Sequence, residues 1–148
     1  MNTSDLTEFG RRVRLVGDRM AAVPWALHPS DSMTQAFELM REHVIRHVPI
    51  VSGGEVVGIV SERLLNTYAK LRDVDPRKVP LAEVMITKPY TVTPETPLAE
   101  VVHTMAYNKY GSAIVVRGRQ IVGIFTTTDA LCELERILEG HSSVTPEW

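Results

Sequence analysis

Gly123-Ile-Phe-Thr126-Thr-Thr-Asp129, preceded by Gln120-Ile-Val and followed by Ala130-Leu131-Cys132-Glu133-Leu134, is the stretch whose reading decides the fold of this chain. Ile121, Val122, Ile124 and Phe125 form a short run of β-branched and aromatic residues, which reads as a buried strand. A hydroxyl residue follows at once, an acid comes three positions later, and the next residues have helical apolar spacing. The order is therefore strand, sharp turn, helix N-terminus. Such a terminus offers unpaired backbone N–H groups and the positive end of a dipole, which suits a phosphate or another anion. The Asp129 carboxylate adds an acceptor for a pair of sugar hydroxyls. Thr126 and Asp129 are also the residues of an ordinary helix cap, and taken alone the stretch favours that reading.

A second copy changes the balance. At an offset of 65 residues Gly123 falls on Gly58, which opens Gly58-Ile-Val-Ser61-Glu-Arg-Leu64 after Val56 and Val57. The same offset, without gaps, pairs Met20 with Met85, Pro24 with Pro89, Trp25 with Tyr90 and Pro29 with Pro94. It also pairs Met40 with Met105, Val51 with Val116 and Gly53 with Gly118. The matches sit at turns and apolar positions, as expected of an internal duplication of a compact unit.

Composition bounds the answer. With 148 residues, 44% hydrophobic and 23% charged, the chain suits one compact domain or two small interlocked ones. A net charge of −2 with both signs interspersed makes no basic stripe, which argues against nucleic acid as a partner. No apolar run has membrane-spanning length, and the N-terminus lacks the order of a signal peptide. A single cysteine, Cys132, excludes an intramolecular disulfide, so a cytoplasmic setting is expected, with Cys132 a small hydrophobe on the buried side of its helix.

Taken in order, residues 1–14 read as a polar N-terminal arm carrying Arg11, Arg12 and Arg14, and the first unit spans 15–71. It contains a helical turn at Val16–Met20, a strand Trp25–His28 and a helix capped from Ser30-Asp31-Ser32 that carries Met33, Ala36, Phe37 and Met40. A hairpin of His47–Val51 and Val56–Val60 follows, then a helix over Glu62–Leu71. Residues 72–80 read as a charged, proline-marked linker, 81–140 as the second unit and 141–148 as a tail. The second unit repeats the order: a turn at Leu81–Met85, a strand Tyr90–Val92, a helix Pro97–Tyr107, a hairpin, and a last helix from Thr127 to Leu138 ended by Gly140. The fold class is α+β, each unit β-α-β-β-α, with helices on one face of each small sheet and the sheets facing one another.

These features resemble a tandem pair of CBS domains, the cystathionine-β-synthase-type regulatory module. The resemblance rests on Val84-Met85, Thr93-Pro94-Glu-Thr-Pro97, His47-Val-Pro-Ile-Val51 with its Gly-Gly turn and, above all, Gly123–Asp129, and it spans about residues 15–138. It implies a pseudo-twofold pair (a Bateman-type module), here free-standing and without a catalytic domain. Two equivalent clefts would take adenosine-containing ligands such as AMP, ADP or ATP. In the first cleft Asp129 would bind the ribose, and Thr126, Thr127 and Thr128 would face ribose or phosphate. Pro24, Trp25, Ala26, Ile45, Arg46 and His47 would line the adenine, with Arg46 and His47 also in reach of phosphate. The second cleft departs from the pattern: Ser61 matches Thr126, but Arg63 replaces Thr128 and Leu64 stands where Asp129 does. Leucine accepts no hydrogen bond, and leaving sugar hydroxyls unpaired costs roughly 1–3 kcal/mol each. That cleft, with Tyr90, Tyr110 and Ser112 left to stack against a base, is expected to be empty or weak.

The expected function is that of a regulatory energy or metabolite sensor that signals to an effector protein. No prosthetic group is implied, and the adenine nucleotide is a regulatory ligand. The alternative is a structural or dimerisation module that binds no nucleotide. An enzyme is not expected, because no nucleophile–base pair or paired carboxylates appear. His43 and His47 lie four apart but across a helix end, which argues against a metal pair. A homodimer is expected through Phe37, Met40, Val101, Val102 and Met105.

Overall fold

The computed structural model describes residues 14–22 and 25–141. A single 3-10 turn (Val16–Asp18) leads into β1 (Ala21–Ala22). The first half continues through α1 (Met33–His43), β2 (His47–Ser52), β3 (Glu55–Ser61) and α2 (Glu62–Arg72). The second half contains α3 (Leu81–Val84), β4 (Thr91–Val92), α4 (Leu98–Asn108), β5 (Ser112–Arg117), β6 (Gln120–Thr126) and α5 (Thr127–His141).

Local chemistry accounts for the boundaries. Ser32 Oγ accepts from Gln35 N at 3.2 Å while Gln35 Oε1 accepts from Ser32 N at 2.7 Å, a reciprocal box that starts α1. Helices α1 and α4 both stop on a left-handed residue, Val44 at φ 53° and Lys109 at φ 57°, whose N–H bonds back to Met40 O and Met105 O. Those two stops are 65 residues apart, as are the hairpin bulges between Ile50 and Val51 and between Val115 and Val116. The duplication is thus written into backbone geometry as well as sequence.

Each sheet is completed by the other half of the chain. The four-stranded sheet has order β1-β6-β5-β4, so β1, from the start of the chain, pairs with β6 (Ala21↔Ile124). The β2–β3 hairpin receives single-residue bridges at the corresponding places, Ile59↔Ile86 antiparallel and Leu27↔Ile50 parallel. Packing follows the same exchange. Val16 lies in a core with Leu98, Val101, Met105, Val115 and Phe125. Val79, Leu81 and Val84 lie in a core with Met33, Met40, Ile50, Val60 and Leu65. Ile59, Ile114 and Ile124 join the two sheets face to face. Close approach at the exchange points demands glycine. A Cβ on Gly58 would meet Met85 Sδ at 2.6 Å and Ile86 O at 2.9 Å, and one on Gly123 would strike Met20 Sδ and lie 2.9 Å from Ala21 O.

Several local expectations are corrected. The strand expected over Trp25–His28 reduces to the single bridge at Leu27, because His28 N and O turn back on Asp31 and leave no run to pair. Helix α5 passes through Gly140 to His141 instead of ending at the glycine. Cys132 is exposed, since α5 is rotated to bury Glu133. Of the residues expected to form a dimer surface, Met40, Val101 and Met105 are buried in their own cores. Residues 1–13, including Arg11 and Arg12, together with Pro24 and the tail 142–148, lie outside the described residues.

Candidate functional site

Strand β6 ends at Thr126, whose Oγ1 and N–H both donate to Asp129 Oδ2, at 3.1 and 2.8 Å, while Asp129 N–H donates back to Thr126 Oγ1 at 3.4 Å. The cap reading of this stretch is therefore realised. It leaves Asp129 Oδ1 without a hydrogen bond among the described residues. The first helical N–H, that of Thr127, donates to Gly111 O at 3.1 Å, and its counterpart Glu62 N donates to Arg46 O at 2.9 Å. Each helix N-terminus is thereby pinned to the residue ahead of the neighbouring strand.

Thr126, Thr127, Thr128 and Asp129 line an open cleft of about 2140 Å³ together with Trp25, Ile45, Arg46 and His47. The two stretches come from opposite halves of the chain, so the cleft lies across the pseudo-twofold. Ala26 is exposed but does not line it. Of the residues assigned to the second cleft, Ser61, Arg63 and Tyr110 open into the same space. Leu64 packs on the first core, Tyr90 packs on the second and against the Tyr110 ring at 5.6 Å, and Ser112 pairs with Thr126 in the sheet. None of these three lines the cleft. Ser61 Oγ accepts from Leu64 N at 3.1 Å, a plain cap where the other half has a carboxylate.

Other placements had no local signature. Trp25 is 52% exposed and stacks on His43, ring centroids 3.8 Å apart and 14° from parallel, so one indole face is backed by an imidazole while about half the residue meets solvent. His43 serves this stack from α1 while His47 belongs to β2. The His47 ring occupies the place a side chain at Gly111 would take, with Nε2 2.7 Å from an ideal Cβ. Burial, and next the charge of Arg46, hold its proton affinity below the usual imidazole range. Glu133, one turn beyond Asp129, is buried and ringed by arginines. Arg19 Nε lies 2.6 Å and Arg136 Nη1 3.3 Å from its Oε2, and Arg14 Nε lies 3.0 Å from its Oε1. The Arg14 approach is an ion pair out of line for a hydrogen bond, so Oε1 remains buried without one among the described residues. Nothing local in the sequence marked Glu133 as the inward-facing residue of α5.

A duplicated β-α-β-β-α unit with exchanged first strands and a cleft at the paired helix N-termini defines a class of ligand-binding regulatory fold. Residues 16–68 and 81–136 each match the CBS domain, and the chain belongs to that family. Among solved structures it is similar to a protein assigned to acetoin utilization (AcuB) from Vibrio cholerae, with TM-score 0.78 and 33% identity, covering 90% of this chain and 99% of that one. It is also similar to the CBS domain pair of protein MJ0100, solved with 5′-methylthioadenosine and S-adenosyl-L-methionine, with TM-score 0.75 and 26% identity over 88% and 99% of the two chains. Among curated relatives, the CBS domain-containing protein YhcV of Bacillus subtilis (strain 168) is 28% identical over 77% of this chain and 81% of its own length. The chain spans only 14% and 22% of two longer relatives that bear enzyme names. Among the described residues no helix is long and apolar enough to cross a membrane, and no cluster of metal-ligating side chains occurs.

Proposed function

We propose that this CBS pair is a regulatory sensor that binds an adenosine-containing ligand in the cleft and passes the change in geometry between its halves to an effector protein. The observation that carries this reading is the pairing of Asp129, with Oδ1 unused among the described residues, and the half-exposed Trp25 across one cleft. The carboxylate takes the vicinal ribose hydroxyls, the indole stacks on the adenine, and Thr126 to Thr128 border the sugar and its 5′ substituent. Binding of adenosine compounds by the MJ0100 pair supports this ligand class. A bound ligand shifts the balance between two arrangements only by its difference in affinity for them, and the exchanged strands give it two halves to hold at once.

Because Leu64 offers no acceptor, the protein binds one adenosyl group per chain. The module acts as a homodimer, and the exposed leucines of α5 (Leu131, Leu134 and Leu138) supply the contact in place of the buried residues first expected. It works inside the cytoplasm as a binding module, without turnover and without a prosthetic group.

Calorimetric titration of nucleotide-stripped protein with adenosine, AMP, ADP, ATP and S-adenosylmethionine tests the reading. One saturable site is expected, weakened at least about tenfold by Asp129→Ala through the lost charged hydrogen bonds. No heat with any of the five would overturn it in favour of a module that acts through protein contacts alone.

A further inference from the structure

Five basic side chains line the cleft, and Arg14 among them is engaged with Glu133. The other four, Arg46, Arg63, Lys70 and Lys109, carry no ion pair among the described residues, and the cleft-lining acids likewise without an ion pair are Glu62 and Asp129. This local excess of positive charge stands in a chain whose net charge is −2. Its distribution breaks the repeat. At the 65-residue offset Arg46 corresponds to Gly111, Arg63 to Thr128 and Lys70 to Glu135. The first half thus presents three cations where the second presents none, and the second presents Asp129 where the first presents leucine.

We propose that the degenerate half of the module is a polyphosphate subsite. A nucleotide anchored by its ribose at Asp129 extends its phosphate tail across the pseudo-twofold onto Arg46, Arg63 and Lys70, so that the cleft selects nucleoside triphosphates over monophosphates and uncharged adenosyl compounds. This deepens the proposed function and rests on it. The loss of Asp at position 64 and the presence of Arg63 become two sides of one change: the second ribose site is given up, and the space it would fill receives the tail of the first ligand. A chain of phosphates suits such a place, because guanidinium groups pair with phosphate oxygens two at a time and an ammonium adds a point charge.

The test compares adenosine, AMP and ATP by calorimetry in magnesium-free buffer at low and high salt. It uses wild type, the Arg46→Ala/Arg63→Ala double variant and, as a charge control outside the cleft, Lys88→Ala. In wild type ATP should bind at least about tenfold tighter than AMP at low salt, with the advantage shrinking as salt screens the exposed cations. The double variant should bring the ATP-to-AMP ratio within about twofold, and Lys88→Ala should keep the wild-type ratio. Equal affinity for adenosine, AMP and ATP would overturn the polyphosphate subsite while leaving the adenosyl sensor in place. A double variant that keeps the full preference for ATP would overturn the assignment to these residues. Failure of adenosine itself to bind, along with both nucleotides, would remove the sensor reading and this one with it.

Discussion

His47 stands at the start of β2 with its ring filling the space beside Gly111 and with Arg46 as its charged neighbour. Its pKa is lowered from 6.5, so between the lowered value and 6.5 the unfolded chain binds the proton more readily than the folded one. Stability in that window therefore rises with pH and is lost as pH falls. Urea unfolding between pH 7 and 5 should show this slope, bounded by about 1.4 kcal/mol per pH unit for one proton. His47→Gln should flatten it, and an unchanged slope would remove His47 as the cause. At this scale the sequence was informative where function and local structure use the same atoms. The Thr126–Asp129 spacing is legible because a cap needs it as much as a sugar does. Glu133 was not legible, because apolar residues surround α5 on more than one face and only the arginines brought from Arg14, Arg19 and Arg136 decide which face turns inward.

Among the elements, β1 and the segment after α3 define the architecture although each pairs over only one or two residues. They fit because Gly58 and Gly123 leave room for a methionine and a backbone carbonyl to lie against the hairpin. Gly123→Ala and Gly58→Ala should each cost about 1–3 kcal/mol, since a methyl group there displaces backbone as well as the flexible Met side chain. Gly140→Ala, in α5 with nothing within 4 Å of the new carbon, should instead be neutral or stabilising by up to about 1 kcal/mol. Thermal unfolding of the three variants decides the matter, and a harmless Gly123→Ala would show that the exchange tolerates looser packing. The long elements were readable from period alone, and α1, α2, β3 and β6 lie where apolar spacing puts them. The strand at Trp25 was not. Its apolar residues serve a stack on His43 and one bridge at Leu27, contacts that depend on distant residues.

The molecule as a whole is less symmetric than its repeat. Leu131, Leu134 and Leu138 are 66%, 49% and 61% exposed on α5, while their counterparts in the first half are Asn66, Ala69 and Asp73. The first half exposes Val44 and Leu71 instead, at 91% and 80%, and the proposed homodimer sets the α5 patch against its twin in a twofold contact. Light scattering at micromolar concentration should report a dimer for wild type and a monomer for Leu134→Glu. A wild-type monomer would sink the proposal. The sequence suggested a dimer but placed it on Met40, Val101 and Met105, because an amphipathic pattern marks which residues are buried without saying whether their partner is the same chain or another.

The exchange of first strands has a further consequence. Residues 16–22 are built into the second sheet and core, and residues 79–86 into the first, so the two halves grip one another like crossed hooks. The peptide bond that joins them is a tether, while the grip itself is made by packing. A chain nicked between α2 and Pro76 therefore keeps both cores complete and remains one particle. A half-length chain, by contrast, lacks a wall that only a second copy can lend it, so a lone unit is driven to pair with another before it can be whole.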